Sequence, residues 1–592
     1  MHELQTYGER IFSQPARTVP AMTGRGELIP TARAVTTDVL LLLGLGLLVL
    51  ASGFGLRDPW PADEPRFALI ARDMVISGQW LFPSAGGDLY QDKPPLFFWL
   101  IASVYALTGS LRFSFLLPSL VAAVGTLLLV YDLGRRLWDR GAGLTAALAL
   151  LFTIQFSMQA HFAQIDELLC FWTTLSLYGL CRHLLLGHGW RWYALGGFAA
   201  GLGVITKGVG FLPLLILIPY AFARVRHWPL PRLEKAGWRW AFAPAAFLGA
   251  IALWLVPMLI AAGTDPQFAA YRDEILFQQT VTRYASSWHH AKPFYYFLLV
   301  MLGLWQPVFS LLPWLIPRWR ERWRERDARI LLLLGWIAIV LVFFSASTGK
   351  RGVYILPALP AFVLAAGPWI RGLAQRRDVQ RTIFGLALAL VLLCGLAYVW
   401  LTLAAPEKGQ EIMHRYGVAT LLPLLLIMIV GGIALRVAGI SRPLQAWAGV
   451  CTVTWLVVGW WVMPQLDASR SGKRFIVQLE RMADPNRELG LLAYKEQFLL
   501  HLSRPSVNFG HARWREGDLE SFDAARWLSA DPQRQLLVPE GRLAPCFADA
   551  RVRVEVGTTS RERWWLVSEP QAAGCVAKGN SSAAREYSPG YR

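Results

Sequence analysis

Acidic side chains are scarce in this chain: 40 aspartates and glutamates stand against 58 lysines and arginines, and charged residues of both signs make up only 17% of 592 positions. With 55% of residues hydrophobic, so little charge excludes an ordinary soluble protein; the apolar residues fall in long runs of the kind that cross a bilayer. Also missing are a P-loop, a dinucleotide-binding glycine pattern and a nucleophile elbow in a matching context, as well as the inverted halves that mark many transporters. The net charge of +18 does not indicate nucleic acid, because the basic residues sit in short loops between apolar runs. There they meet anionic headgroups and fix orientation. Cysteine is rare too. Cys170, Cys181, Cys394 and Cys451 lie in apolar runs, where a thiol packs as a small apolar group, whereas Cys546 and Cys575 lie in the polar tail. A disulfide and two free thiols are both compatible with the sequence there.

What is present is a polytopic α-helical membrane protein. Residues 1–36 are mostly polar, too long and too weakly basic for an ordinary signal peptide, and are expected to form a cytosolic extension ahead of an uncleaved signal anchor. Met22 is a second candidate start. Apolar windows give fourteen candidate spans between residues 37 and 464, but fourteen crossings would put strongly basic loops on both faces. The weakest candidate, "PPLFFWLIASVYALTG", is short and opens with two prolines; at 1.5 Å per residue it cannot cover a hydrocarbon layer of about 30 Å. Treated as an interfacial helix, it leaves thirteen spans and collects "GRRLWDR", "RVRHWPLPRLEKAGWR", "RWRERWRERDAR" and "RGLAQRRDVQR" on the side of the N-terminus. Loops 57–112 and 263–293 and the tail 465–592 then face the exterior. In the tail, "LGLLAY", "RQLLVP" and "RWWLVS" read as short buried strands and "KRFIVQLERMAD" as helix, predicting a small α/β domain.

Exterior charges are the candidate chemistry. Asp63 and Glu64 precede Pro65, and Phe67, Ile70, Ala71 and Met74 follow at helical spacing, predicting an amphipathic helix on the membrane surface with Asp63 at its positive end. Asp63 fits both an N-cap and an ionised carboxylate held for chemistry. Asp166, beside Glu167 in "QAHFAQIDELL", opens a span at its outer mouth, where an acid can also simply be solvated. Cations share that side: Arg66, Lys93, Lys207, Arg283, Lys350 and Arg351. Lipid headgroups explain any one of them; their number points to an anionic ligand. Asp92, His289 and His290 are the candidate ligands for a divalent cation such as zinc, although three fall short of a full set.

The stretches "DEPRFALIARDMVISGQWLFPSAGGDLYQDKPPLFFWLIA", "QAHFAQIDELL", "GLGVITKGVGFL", "HHAKPFYYF" and "FFSASTGKRGVYILPALPA" together resemble the ArnT-type branch of the protein O-mannosyltransferase superfamily, over about residues 38–470. The resemblance implies a GT-C fold, a sugar donor carried on polyprenyl phosphate, a periplasmic acceptor and inversion at the anomeric carbon. It implies an inner-membrane protein facing the periplasm; the best-known member transfers 4-amino-4-deoxy-L-arabinose from undecaprenyl phosphate to a lipid A phosphate, giving resistance to polymyxin. On this likeness Asp63 is the essential first-loop acid, Asp166 the second catalytic acid, and Lys93 lies near the donor phosphate. Arg66, Tyr90, Lys207, Lys350 and Tyr354 line the lipid-phosphate or sugar cavity. No cofactor is required, and a monomer is expected. Where the family carries "EKPP" this chain has "DKPP", which weakens the metal site. A protein hydroxyl acceptor, as in protein O-mannosyltransferases, and a lipid transporter are the alternatives; a transporter, however, would place ionisable groups near the bilayer midplane.

Overall fold

The computed structural model describes residues 32–233, 237–276, 292–511, 513–548, 553–568 and 573–589. Among them, eight helices are long and apolar enough to cross a membrane, or up to ten if each of two bent pairs is one span. The bent pairs are Arg140–Leu151 with Ile154–Ala160 and Tyr296–Leu304 with Phe309–Arg324, turned by 64° and 100°. Sequence reasoning counted thirteen; its remaining candidates fall on Ile165–Leu184, Trp190–Val204 and Leu422–Ala438, which are shorter or more polar. The segment assigned to the interface forms the 13-residue helix Leu96–Thr108.

Glycine sets how closely the spans approach. A Cβ on Gly197 would stand 2.1 Å from the carbonyl oxygen of Ala243, so a side chain there would push apart two packed helices.

The tail contains a six-stranded mixed sheet. In chain order after the first-loop hairpin of β1 (Ser84–Ala85) and β2 (Asp88–Leu89), its strands are β3 (Glu488–Leu491), β4 (Ser506–Asn508), β5 (Arg534–Pro539), β6 (Arg553–Thr559), β7 (Glu562–Val567) and β8 (Arg585–Tyr587). Their spatial order is β6-β7-β5-β3-β4-β8, with β3 parallel to β4 and β5 and the other pairings antiparallel. The three predicted strand segments supply β3, β5 and β7, and "KRFIVQLERM" is the helix Lys473–Met482. Cys546 and Cys575 form a disulfide, with Cα atoms 5.8 Å apart.

One hydrophobic cluster joins the tail to the first loop and to the start of Ile165–Leu184: Phe67, Phe97, Phe98 and Ile165 pack in the same core as Phe475, Phe498 and Trp564. This corrects one expectation. The helix Glu64–Ser77 forms as predicted, but over Phe67–Met74 it has no wet face. Residues from Phe67 to Met74 are all buried. Phe67 meets Phe97 and Phe98 on one side, and on the other Arg72 donates to the carbonyls of Leu499 and Leu500 while Asp73 accepts from the Tyr587 hydroxyl. The face that looked solvent-exposed in sequence is covered by the tail.

Candidate active site

The Asp-Glu pair that opens this helix divides its work. Glu64 is buried, accepts both Arg57 Nη groups at 2.5 and 2.7 Å, and also takes the backbone N–H of Trp60 and of Ala163, each at 2.8 Å. A buried carboxylate with so many donors is a structural knot, tying the first loop to the turn before Ile165–Leu184. Asp63 occupies the N-cap position, yet its side chain makes no capping hydrogen bond. Instead its carboxylate accepts from Arg351 Nη2 at 3.1 Å, across 288 residues of sequence.

The second acid stands close by. Asp166, in the first turn of its helix, pairs with Lys207 Nζ at 2.6 Å, and the same ammonium lies 4.3 Å from the centre of the Tyr354 ring. Arg351 links the two pairs. Burial pulls its guanidinium down, but Asp63, and then Asp166 and Tyr354, hold it above its ordinary range. Asp63, Asp166, Lys207, Arg351 and Tyr354, drawn from four separate loops, therefore share one electrostatic neighbourhood. Lys93 is half-buried in the loop that precedes Leu96–Thr108, and that loop is hooked by the Leu96 N–H onto the carbonyl of Ile205, two residues before Lys207.

Other predicted residues have different settings. Arg66 turns to the tail: its Nε donates to Glu496 at 2.7 Å, and its guanidinium lies 6.0 Å from the Tyr90 ring. Burial pushes the Tyr90 hydroxyl up, with Asp92 adding to the shift. Burial would also raise Glu496, but its bonds to His511, at 3.0 Å, and to Arg66 overcome this and bring its carboxyl down to about 2. Lys350 is buried, with its ammonium on the carbonyls of Ser347 and Lys292 at 2.5 and 3.3 Å, so it braces its own loop. Arg283, His289 and His290 lie outside the described residues. Among those described, no group of three or more His, Cys, Asp or Glu is gathered as a metal site, and Asp92 alone remains of the candidate set.

Sequence reasoning missed Glu64, Glu496 and His511. Glu64 was visible as an acid but not as a buried one, and nothing in "AYKEQF" or "NFGHAR" marks residues that reach back more than 400 positions to the first loop.

Many apolar helices, a charged first loop and acid–cation pairs at helix ends accompany a likeness, in sequence and in fold, to membrane glycosyltransferases of the GT-C fold. The crystal structure of ArnT from Cupriavidus metallidurans bound to undecaprenyl phosphate superposes with a TM-score of 0.70 at 22% identity, covering 90% of this chain and 98% of that one. Residues 92–261 match the family described as dolichyl-phosphate-mannose-protein mannosyltransferase. The undecaprenyl phosphate-alpha-4-amino-4-deoxy-L-arabinose arabinosyl transferase of Pseudomonas aeruginosa PAO1 is 31% identical over 451 residues, covering 72% of this chain and 75% of that protein. Transferase 2 of the same name from Pseudomonas fluorescens Pf-5 is 30% identical over 571 residues, covering 92% and 89%. The chain belongs to this arabinosyl transferase family.

Proposed function

We propose that this protein transfers 4-amino-4-deoxy-L-arabinose, or a closely related sugar, from a polyprenyl phosphate to a lipid A phosphate or another envelope acceptor. It works as a monomer in the bacterial inner membrane, with its site and tail facing the periplasm, and requires no metal. The observation that carries this reading is the convergence of Asp63–Arg351 with Asp166–Lys207 at the ends of distant loops.

Breaking the bond between the anomeric carbon and the polyprenyl phosphate leaves negative charge on the departing phosphate. Lys207 and Arg351, with Lys93 in the adjoining loop, are fixed cations that favour this charge more in the transition state than in the bound donor. A lipid A phosphate is already largely ionised near pH 7, since its second pKa is about 6, so no strong base is needed to activate it. Asp63 then serves by steadying positive charge at the anomeric carbon and by orienting the acceptor through Arg351. For a hydroxyl acceptor the same carboxylate is placed to take the proton.

Mass spectrometry of lipid A and of periplasmic glycoproteins from cells with and without the chain tests the proposal. A mass increment of one aminopentose on lipid A is expected. An increment found only on proteins would replace the acceptor, and none on either would reject the activity.

A further inference from the structure

A cavity of about 630 Å³ opens between the β1–β2 hairpin of the first loop and the tail. Its volume is that of a pocket for a small ligand. Its lining is polar, and the charges in it are already matched. Arg513 donates to Glu516 at 2.7 Å and to Asp523 at 2.8 Å, Asp523 also accepts the N–H of Asn580 at 2.7 Å, and Arg585 is paired with Asp88. His511, on the same wall, is bonded to Glu496 through its ring and to Asp88 through its backbone N–H. A phosphate entering here would have to displace carboxylates from both arginines, and a metal ion would have to displace the arginines from the carboxylates. A neutral ligand with many hydroxyls displaces nothing: it adds hydrogen bonds to oxygens and N–H groups already locked in place, so little ordering cost attends binding.

The position is equally informative. The His511 ring lies 6.3 Å from the Tyr90 ring, and Glu496 relays from His511 to Arg66, so the cavity backs onto Tyr90 and Arg66 of the first loop, and Tyr90 in turn feels the charge of Asp63. Gly510 keeps the wall thin: at φ +112° it sits where a Cβ would stand 2.6 Å from Arg513.

We propose that this cleft binds the uncharged, hydroxyl-rich saccharide part of the acceptor, while the acceptor's reacting group reaches the cations near Asp63. The proposal rests on the preceding reading in taking the acceptor to be a glycolipid. The experiment uses the full chain in nanodiscs, with N,N′-diacetylchitobiose as the binding probe, inorganic phosphate as competitor, and Ser582→Trp, at an exposed lining position, to fill the cleft. Wild type should give a saturable saturation-transfer NMR signal that phosphate does not displace and that Ser582→Trp removes. The variant should raise the acceptor KM about tenfold, with donor KM and kcat unchanged. Displacement by phosphate, an undiminished signal in the variant, or an unchanged acceptor KM would overturn the proposal. If wild type binds the disaccharide, the variant does not, and no sugar reaches lipid A, the cleft stands and the proposed reaction fails.

Discussion

Two acid–cation pairs one residue apart differ sharply in how far each is withdrawn from water. In the Arg57–Glu64 pair the side chains are 1% and 3% exposed; in the Arg351–Asp63 pair they are 42% and 21% exposed. The first pair gives up its hydration and replaces it with six hydrogen bonds, four accepted by Glu64 and two more donated by Arg57 to the carbonyls of Asp58 and His161, so the Glu64 carboxylate is fully engaged within the fold. The second keeps its water and is joined by one bond at 3.1 Å, which an arriving phosphate or sugar can exchange at little cost.

Breaking each pair should therefore register in a different measurement. Asp63→Asn should lower transfer at least about 100-fold, the scale of losing one preorganised charged group at a reacting centre, while thermal stability in detergent stays near wild type. Normal turnover would remove Asp63 from the chemistry, and a large drop in stability would erase the contrast with Glu64. Glu64→Gln leaves the Arg57 charge buried without its counter-charge, at a cost of about 3 to 5 kcal/mol, so yield and melting temperature should fall before any kinetic constant is measurable. A stable but inactive Glu64→Gln protein would show that Glu64 also acts on substrate.

The same contrast extends to the tail. Its disulfide closes a segment of 29 residues, so Cys546→Ser with Cys575→Ser should cost about 3 to 4 kcal/mol on the chain-entropy scale. The loss should appear as early proteolysis of residues 471–589 while the membrane helices stay protected. Because the first loop and the tail share a core, transfer should decline together with that protection rather than after it. Intact activity in a cleaved, tail-less protein would make the tail accessory.

Periodicity and charge placement made much of this legible. Helix Glu64–Ser77, the short helix Leu96–Thr108 and three strands of the tail sheet follow local patterns, and local patterns are what a sequence carries directly. Asp63, Asp166, Lys207 and Arg351 stood out as charged groups gathered at the ends of apolar runs, whereas Tyr354 was named only through the family resemblance. What stayed hidden depends on partners remote in the chain. That Lys350 braces backbone carbonyls depends on a loop folding back on itself, and that Arg66 turns to Glu496 and that Arg72 and Asp73 are covered by Leu499, Leu500 and Tyr587 follow only once the tail is docked. A polar residue under a docked domain and one facing water look identical in a linear pattern.

That docking carries a pH signature of its own at Asp73. Burial pushes its carboxyl up to about 6, although the Tyr587 hydroxyl, Arg72 and the Gly86 N–H all favour the ionised form. Its reference value is 3.8, so between about pH 4 and 6 the folded protein holds a proton at this position that the unfolded chain has released. Stability from this group is accordingly full below about pH 4 and is lost as pH rises through 6. The slope is opposite to that of the ordinary salt-bridged carboxylate, such as Glu496. The loss amounts to about 1 to 3 kcal/mol by pH 7 at 1.36 kcal/mol per unit. Asp73→Asn should flatten this part of the profile, leaving the protein at pH 7 as stable as wild type or more so. Melting temperatures of wild type and variant at intervals from pH 4 to 7 give the comparison directly. If the two curves run parallel, Asp73 is ionised throughout that range, and the loop–tail seam tolerates a buried charge that its packing argues against.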